Sequence, residues 1–364
     1  MPSASSPPRI TLDVLAKRCG VAKSTVSRVL NNHGAGFSVL PEKRERILRL
    51  ARELNYQPNV TARTLKTQQT KIVVILGFTS QTHDGPSIYP PLISRTVDVL
   101  QKAGYHVCSG FPHPERGLNA MLPWKVDGAI IVHSRQAGSL QEVEDSGVPY
   151  VTVNREAGPH GCALMLDEPS GIQRAMTHLF TLGHTRIAYR NTAGARRHYS
   201  VTQRHKAFLQ ACRERAVPVL PGNDLHEVDP ARYWREFVLP SRATAVLAYS
   251  HNEALELLFA ARRLGIEIPG QVSLMCFNDV YPCAKLVPSL TAMAPPLGDM
   301  GTTAGNLLLQ MMTTGKKPQE PVFFFQEQLV ARESTAPPPA STLTSGREDA
   351  ACDNAGMKVY QKRR

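Results

Sequence analysis

Residues 11–31, TLDVLAKRCGVAKSTVSRVLN, decide how the chain begins to fold. Leu12, Leu15, Ala16 and Cys19 recur at helical spacing on one face. Gly20 then breaks the helix and can adopt the backbone that a tight turn needs. Val26, Val29 and Leu30 give a second helix its own apolar face. Lys23, Ser24, Thr25, Ser27, Arg28 and Asn31 are left to point outward, all capable of hydrogen bonding and none acidic. A helix with that outer face can lie in the major groove of DNA and offer bonds to phosphates and base edges. The competing reading is an ordinary amphipathic helical hairpin with a solvated polar face.

The flanking sequence favours the DNA reading. A third helix is expected at 41–55, PEKRERILRLARELN, with Ile47, Leu48, Ala51 and Leu54 on one side and Pro41 at a first helical position. A helix–turn–helix unit needs such a helix to close its small core. Tyr56, Gln57 and Pro58 follow, and then NVTARTLKT.

Taken with segments further along the chain, residues 10–334 resemble a LacI-type (lactose-repressor) family transcription regulator. The matching segments are TLDVLAKRCGVAKSTVSRVLN, ARELNYQPNVTARTLKT, VDGAIIV, LGHTRIA, and VPSLTAM followed by MGTTAGNLLL, in the family's order. The resemblance implies an N-terminal all-α helix–turn–helix domain and an α/β two-lobe, periplasmic-binding-protein-like domain made of two doubly wound parallel sheets. The segment MLPWKVDG is also similar to a gluconate-responsive subgroup.

Charge distribution agrees with a DNA partner. The chain of 364 residues carries a net charge of +12. Residues 1–71 hold thirteen Lys and Arg against four Asp and Glu, whereas the 263 residues after them hold a net of only +1. Basic charge concentrated on the DNA-reading segment is what counterion release requires. A basic membrane surface is the competing reading, but these residues do not share one long amphipathic helix. The seven cysteines, Cys19, Cys108, Cys162, Cys212, Cys276, Cys283 and Cys352, are odd in number and lack CxxC spacing. Buried, reduced thiols are expected. With no signal-like run in MPSASSPPR and no membrane-length apolar segment, a soluble, cytoplasmic protein is expected.

The organisation expected is a disordered arm at 1–9, the helix–turn–helix domain at 10–57, a hinge helix and linker at 58–70, the two-lobe domain at 71–334 and a disordered tail at 335–364. From Lys71 onward strand and helix patterns alternate. IVVILGF (72–78), YHVCSG, DGAIIV (127–132), PYVTV (149–153), RIAYR, AVLAY (245–249) and QVSLMCF (271–277) read as strands. Helices are expected near 92–103, 117–124, 139–145, 169–182, 203–215, 252–264 and 300–312. The alternation argues for parallel sheets, and the units are too many for one.

Site residues follow from the resemblance. It implies base contacts by Lys23, Ser24 and Arg28 and phosphate contacts by Thr25, Ser27 and Asn31. Lys23 and Arg28 suit guanine acceptors, although phosphate contact alone remains open for Lys23. In the hinge segment NVTARTLK (59–66) the resemblance implies minor-groove contacts by Ala62, Leu65 and Lys66, with Leu65 as an apolar wedge. Without the family, Leu65 would read as a linker residue touching the core.

Arg204, in RHKAF, stands at the family's effector arginine, and its planar fork can grip hydroxyls or a carboxylate. Its alternative is a salt-bridge role. Ser250 and His251 match the family's Asn-Asp after AVLAY, and Asn278 and Asp279 its paired aspartates after QVSLMCF. These positions follow strand C-termini, where doubly wound sheets bind ligands. Ser250, His251 and Asn278 depart from the family's residues, each losing a negative charge or a strong acceptor. A pocket with fewer carboxylates and a retained Arg tolerates an anion, which suggests a sugar acid such as gluconate.

No GxSxG, P-loop or HExxH motif occurs, so neither an enzyme nor a cofactor or metal is expected. His178 and His184 lack metal spacing and read as surface or capping residues. Two rivals remain. A transport-type sugar-binding protein of the same two-lobe shape would need a secretion signal and no helix–turn–helix. An enzyme would need a phosphate loop or a catalytic cluster. The expected partners are double-stranded operator DNA, a small sugar-like effector and a second copy of the chain as homodimer. The tail, with Leu343 as its only Leu, cannot build a leucine-heptad tetramer helix.

Overall fold

The structure is a computed structural model that describes residues 10–30, 39–56, 69–77, 88–110, 126–132, 138–191, 198–226 and 228–340. Expectations on the arm, Asn31, Ala62, Leu65, Lys66, the helix near 117–124 and residues 341–364 lie outside the described residues. The chain divides into two compact units, Met1–Thr70 and Lys71–Arg364.

The first unit holds α1 (Leu12–Cys19), α2 (Lys23–Leu30) and α3 (Pro41–Glu53). Thr11 caps α1 by accepting from the Val14 amide at 3.4 Å, and Gly20 ends it in the left-handed region with φ 63°. The Gly20 amide returns to the Lys17 carbonyl at 3.2 Å, which closes the turn into α2. Leu15, Ala16, Cys19, Val26, Val29, Ile47 and Ala51 form the buried core, one stripe from each helix.

The second unit contains two sheets. The first joins β1 (Ile72–Leu76), β2 (His106–Gly110), β3 (Gly128–Ile131), β4 (Tyr150–Val153), β5 (Gly161–Leu166) and β10 (Val322–Phe325) in the order β10-β5-β4-β3-β1-β2. All its pairings are parallel. The second joins β6 (Ile187–Arg190), β7 (Ala245–Ala248), β8 (Ser273–Phe277), β9 (Thr291–Ala294) and β11 (Gln328–Val330) in the order β11-β9-β8-β7-β6. Only β11 runs antiparallel. β3, β4, β5, β7 and β8 are buried along their whole length, as continuous apolar strands covered on both faces should be.

Helices α4 (Tyr89–Lys102), α5 (Gly138–Ser146) and α10 (Leu297–Thr314) belong to the first lobe. Helices α6 (Glu168–Thr181), α7 (Tyr199–Glu214), α8 (Pro230–Tyr233) and α9 (His251–Leu264) belong to the second. α10 approaches α4 closely because Gly301 and Gly305 lack side chains. A Cβ on Gly301 would lie 2.2 Å from the Leu92 carbonyl oxygen, and one on Gly305 would lie 2.8 Å from Val99. Thr96 Oγ1 exploits that approach, donating within 3.0 Å of both the Leu92 and Gly301 carbonyls.

The chain crosses between lobes three times: from β5 into α6, from β9 into α10, and from β10 into β11. The Asp167 amide on the first crossing donates to the Phe325 carbonyl on the third at 2.8 Å.

Two expectations need correction. The tail does not begin as disordered chain at 335. Thr335 Oγ1 lies 2.9 Å from Thr291 Oγ1, and the Ala336 amide donates to Ser273 Oγ at 3.0 Å. Composition rich in Pro and Thr suggested disorder, but these side chains and amides find fixed partners. His184 is not at the surface either. It is buried between Thr244 Oγ1 and the Ala336 carbonyl, each at 2.9 Å, and burial lowers its pKa.

Candidate functional site

Two groups of residues bear on function, one in each unit. In the first, Val26 and Val29 point α2 into the core and leave Lys23, Ser24 and Arg28 exposed, with Thr25 and Ser27 half-buried. Lys23 Nζ lies 2.9 Å from Asp13 Oδ2, and both side chains are well exposed. An exposed pair of this kind holds little free energy, so Lys23 can exchange it for a phosphate or a guanine at small cost. Thus the side chains expected to read bases are the exposed ones, while two of those expected to hold phosphates sit closer to the helix.

In the second unit, the C-terminal ends of β6, β7 and β8 bring together residues from distant parts of the sequence. Arg204 on α7 is only 1% exposed. Its guanidinium lies 4.1 Å above the Phe277 ring centroid and 5.1 Å above that of Tyr249. Nε donates to the Glu168 carboxylate, Nη1 to the Tyr249 carbonyl at 2.8 Å, and Nη2 to Glu327 Oε1 at 3.4 Å. Glu168 stands on the first crossing and Glu327 on the third, so one guanidinium ties α7 to two inter-lobe connections. Both glutamates are fully buried. Burial pushes the Glu327 carboxyl up to about 8, with Arg204 opposing the rise and Glu168 and Asp167 adding to it. Burial also disfavours the charged Arg204, but the two glutamates outweigh that and raise its pKa.

The remaining expected effector residues divide in role. Ser250 caps α9: its Oγ accepts from the Asn252 amide at 3.2 Å and donates to the Glu253 carboxylate. His251 opens α9 and is 1% exposed. Asn278 follows β8 at φ 67°, a left-handed conformation that Asn tolerates, and its buried Oδ1 has no partner among the described residues. Asp279 is already held. Arg332 grips it with two bonds, at 2.8 and 2.7 Å, and also donates to the Leu290 carbonyl at 2.6 Å. The hydrogen bonding to Asp279 is the chief reason the Arg332 pKa is raised. Asp279 and Ser250 therefore shape the loop ends, whereas Asn278 directly follows Phe277, whose ring lies under the Arg204 guanidinium.

The expectation of a pocket with fewer carboxylates around a retained Arg meets a different geometry here. Glu168 and Glu327 supply two carboxylates, and every guanidinium nitrogen of Arg204 is engaged within the protein. Sequence reasoning missed both glutamates, along with Tyr249. Burial raises the Tyr249 pKa, and the phenol of Tyr89 on the first lobe acts on it electrostatically. The available signals were a Glu following an N-cap Asp in LDEP and a lone Glu inside FFFQEQLV, neither distinctive in sequence.

Comparison with known proteins gives the same two-part division. A model for bacterial regulatory proteins of the lacI family matches residues 11–59, and one for a periplasmic binding protein-like domain matches residues 176–335. The HTH-type transcriptional regulator GalS of Salmonella typhimurium is 29% identical over 321 residues, covering 83% of this chain and 89% of that protein. The ribose operon repressor of Halalkalibacterium halodurans is 28% identical over 308 residues, covering 82% and 89%. A crystal structure of the lac repressor dimer bound to operator and the anti-inducer ONPF shares the fold, with a TM-score of 0.74 and 21% identity over 90% of this chain and 99% of that one. With the three-helix N-terminal unit, the two largely parallel sheets and both family models in agreement, the chain belongs to the LacI family of bacterial regulatory proteins.

Proposed function

We propose that the chain is a transcription regulator, a repressor that holds a pseudo-palindromic operator as a homodimer and is released when a small sugar-like molecule enters the cleft of the two-lobe unit. The observation that carries this is the exposure of Lys23, Ser24 and Arg28 on α2, inside the segment that the lacI model matches. One recognition helix per chain reads one half-site, so symmetry of the operator follows from pairing of two chains. The functions of the relatives, a regulator and an operon repressor, support the same reading. It places the protein in the cytoplasm with its DNA; among the described residues no helix is long and apolar enough to cross a membrane. A purely transport-type binding protein would have no use for the N-terminal unit. An enzymatic role has no support in the site's chemistry.

Lys23, Ser24 and Arg28 read bases, and Thr25, Ser27 and Asn31 hold phosphates. Ala62, Leu65 and Lys66 enter the minor groove, Leu65 as the wedge. In the cleft, His251 and Asn278 face the effector. Arg204 acts beneath it by fixing the two crossings, with Ser250 and Asp279 setting the surrounding loop ends. The effector class is a sugar or sugar acid.

Fluorescence anisotropy on a labelled operator, with sugars and sugar acids added to the full chain, tests the reading. Release of operator by one compound is the expected result. A complex that no member of a broad sugar panel weakens would contradict effector control.

A further inference from the structure

The last residue of β6 is unusual for a strand end buried against a helix layer. β6 reads Ile187-Ala188-Tyr189-Arg190. Ala188 points into the apolar cluster formed with Tyr233, Trp234, Val246 and Ala254, and Arg190 follows two residues later on the same face. Arg190 is 3% exposed. Its Nη2 donates to the Val228 carbonyl at 2.6 Å, and its guanidinium carbon lies 5.1 Å from the centroid of the Tyr233 ring. Tyr233 is itself fixed, donating its hydroxyl to the Tyr189 carbonyl at 2.8 Å. Among the described residues Nε and Nη1 of Arg190 have no hydrogen-bond partner and no carboxylate forms an ion pair with it, although its charge partly opposes the rise that burial gives the Glu256 carboxyl.

A guanidinium cannot relieve burial by giving up its proton, so unpaired donors in such a place are costly until something accepts from them. The fold nonetheless holds this one rigidly, by a carbonyl on one side and an aromatic face on the other. It does so at a strand C-terminus, the end at which doubly wound sheets receive ligands. Arg204 is the opposite case, with all its nitrogens committed to Glu168, Tyr249 and Glu327.

We infer that Arg190, and not Arg204, receives the acidic group of the effector, and that the effector is a carboxylate-bearing sugar. This rests on the reading of the cleft as an effector site. The free Nε–H and Nη1–H groups donate to the carboxylate oxygens while Val228 and Tyr233 keep the fork in place. A neutral sugar of the same skeleton leaves the cation with only the longer-range attraction of Glu256 and binds more weakly, by roughly 10- to 100-fold for a charge-assisted contact in a buried site.

The test uses the full chain with matched pairs: gluconate against glucose, galacturonate against galactose, glucuronate against glucose. Calorimetry is expected to find at least one acid binding more tightly than its neutral partner by that factor. Arg190→Met should abolish the preference and leave operator affinity unchanged. It should also leave the ligand-free protein as stable as wild type or more so, because removing an unpaired buried charge relieves a cost. Loss of stability in Arg190→Met would show that the residue is a structural element and overturn the inference. So would equal or tighter binding of the neutral partners, or no binding by any acid. Failure of the effector reading itself is distinguishable: there, operator would be held but released by neither acids nor neutral sugars.

Discussion

Replacing Arg204 by Met keeps most of the side chain's length and removes its charge. Glu168 and Glu327 are then left buried with no cation between them. Removing one partner of a buried ionic group costs about 3–5 kcal/mol, because the remaining charge is neither hydrated nor paired. Removing all the charges by replacements of similar shape is close to neutral. Arg204→Met should therefore lose about 3–5 kcal/mol at pH 8, and the triple variant Arg204→Met, Glu168→Gln, Glu327→Gln should recover most of it. A pH dependence follows. Burial already pushes the Glu327 carboxyl up to about 8, and loss of the opposing Arg204 pushes it higher. A native carboxyl with a raised pKa binds more protons than the unfolded chain, so stability falls as pH rises from the ordinary carboxylate range through the folded value. The deficit of Arg204→Met is then smaller at pH 5.5 than at pH 8. Urea unfolding followed by the fluorescence of Trp234, fully buried in the same lobe, reads both effects. A loss under about 1 kcal/mol at both pH values, with no recovery in the triple variant, would refute the argument that Arg204 is held by the two glutamates.

Two further substitutions probe other parts of the chain. Gly301→Ala puts a Cβ 2.2 Å from the Leu92 carbonyl oxygen, so α10 must shift from α4; a loss of about 1–3 kcal/mol is expected in chemical unfolding. Arg28→Ala should weaken operator binding by about 1–3 kcal/mol while changing affinity for random DNA little, whereas equal losses on both would make Arg28 a phosphate contact.

What the sequence disclosed and what it hid have physical causes. The first unit was legible because its core is local: Leu15, Val26 and Ile47 lie within one short segment and follow helical periodicity. Continuous apolar runs such as β1 and β8 announced buried parallel strands. GCALML, which forms β5, gave no alternation to separate it from a loop or a helix turn. β10 and β11 are short and partly exposed. Their role depends on strand neighbours far away in sequence, which a single chain does not reveal. The same holds for the effector cluster. Arg204 was identifiable by its motif, but its partners stand 36 and 123 residues away. Nothing local marks Glu168 or Glu327 as buried. Arg190 escaped notice because an Arg closing a short strand reads as a solvated end. Asp279 was visible at its position, yet its pairing with Arg332 shows that an aligned position need not be an open one.

Operator recognition by paired chains can be measured by selecting binding sites for the full chain from a pool of random duplex DNA and weighing the resulting complex by sedimentation. A pseudo-palindromic sequence bound by two chains should be enriched, with enrichment lost in a Lys23→Ala, Arg28→Ala variant. Enrichment of a single non-repeated site bound tightly by one chain, or no enrichment at all, would contradict it.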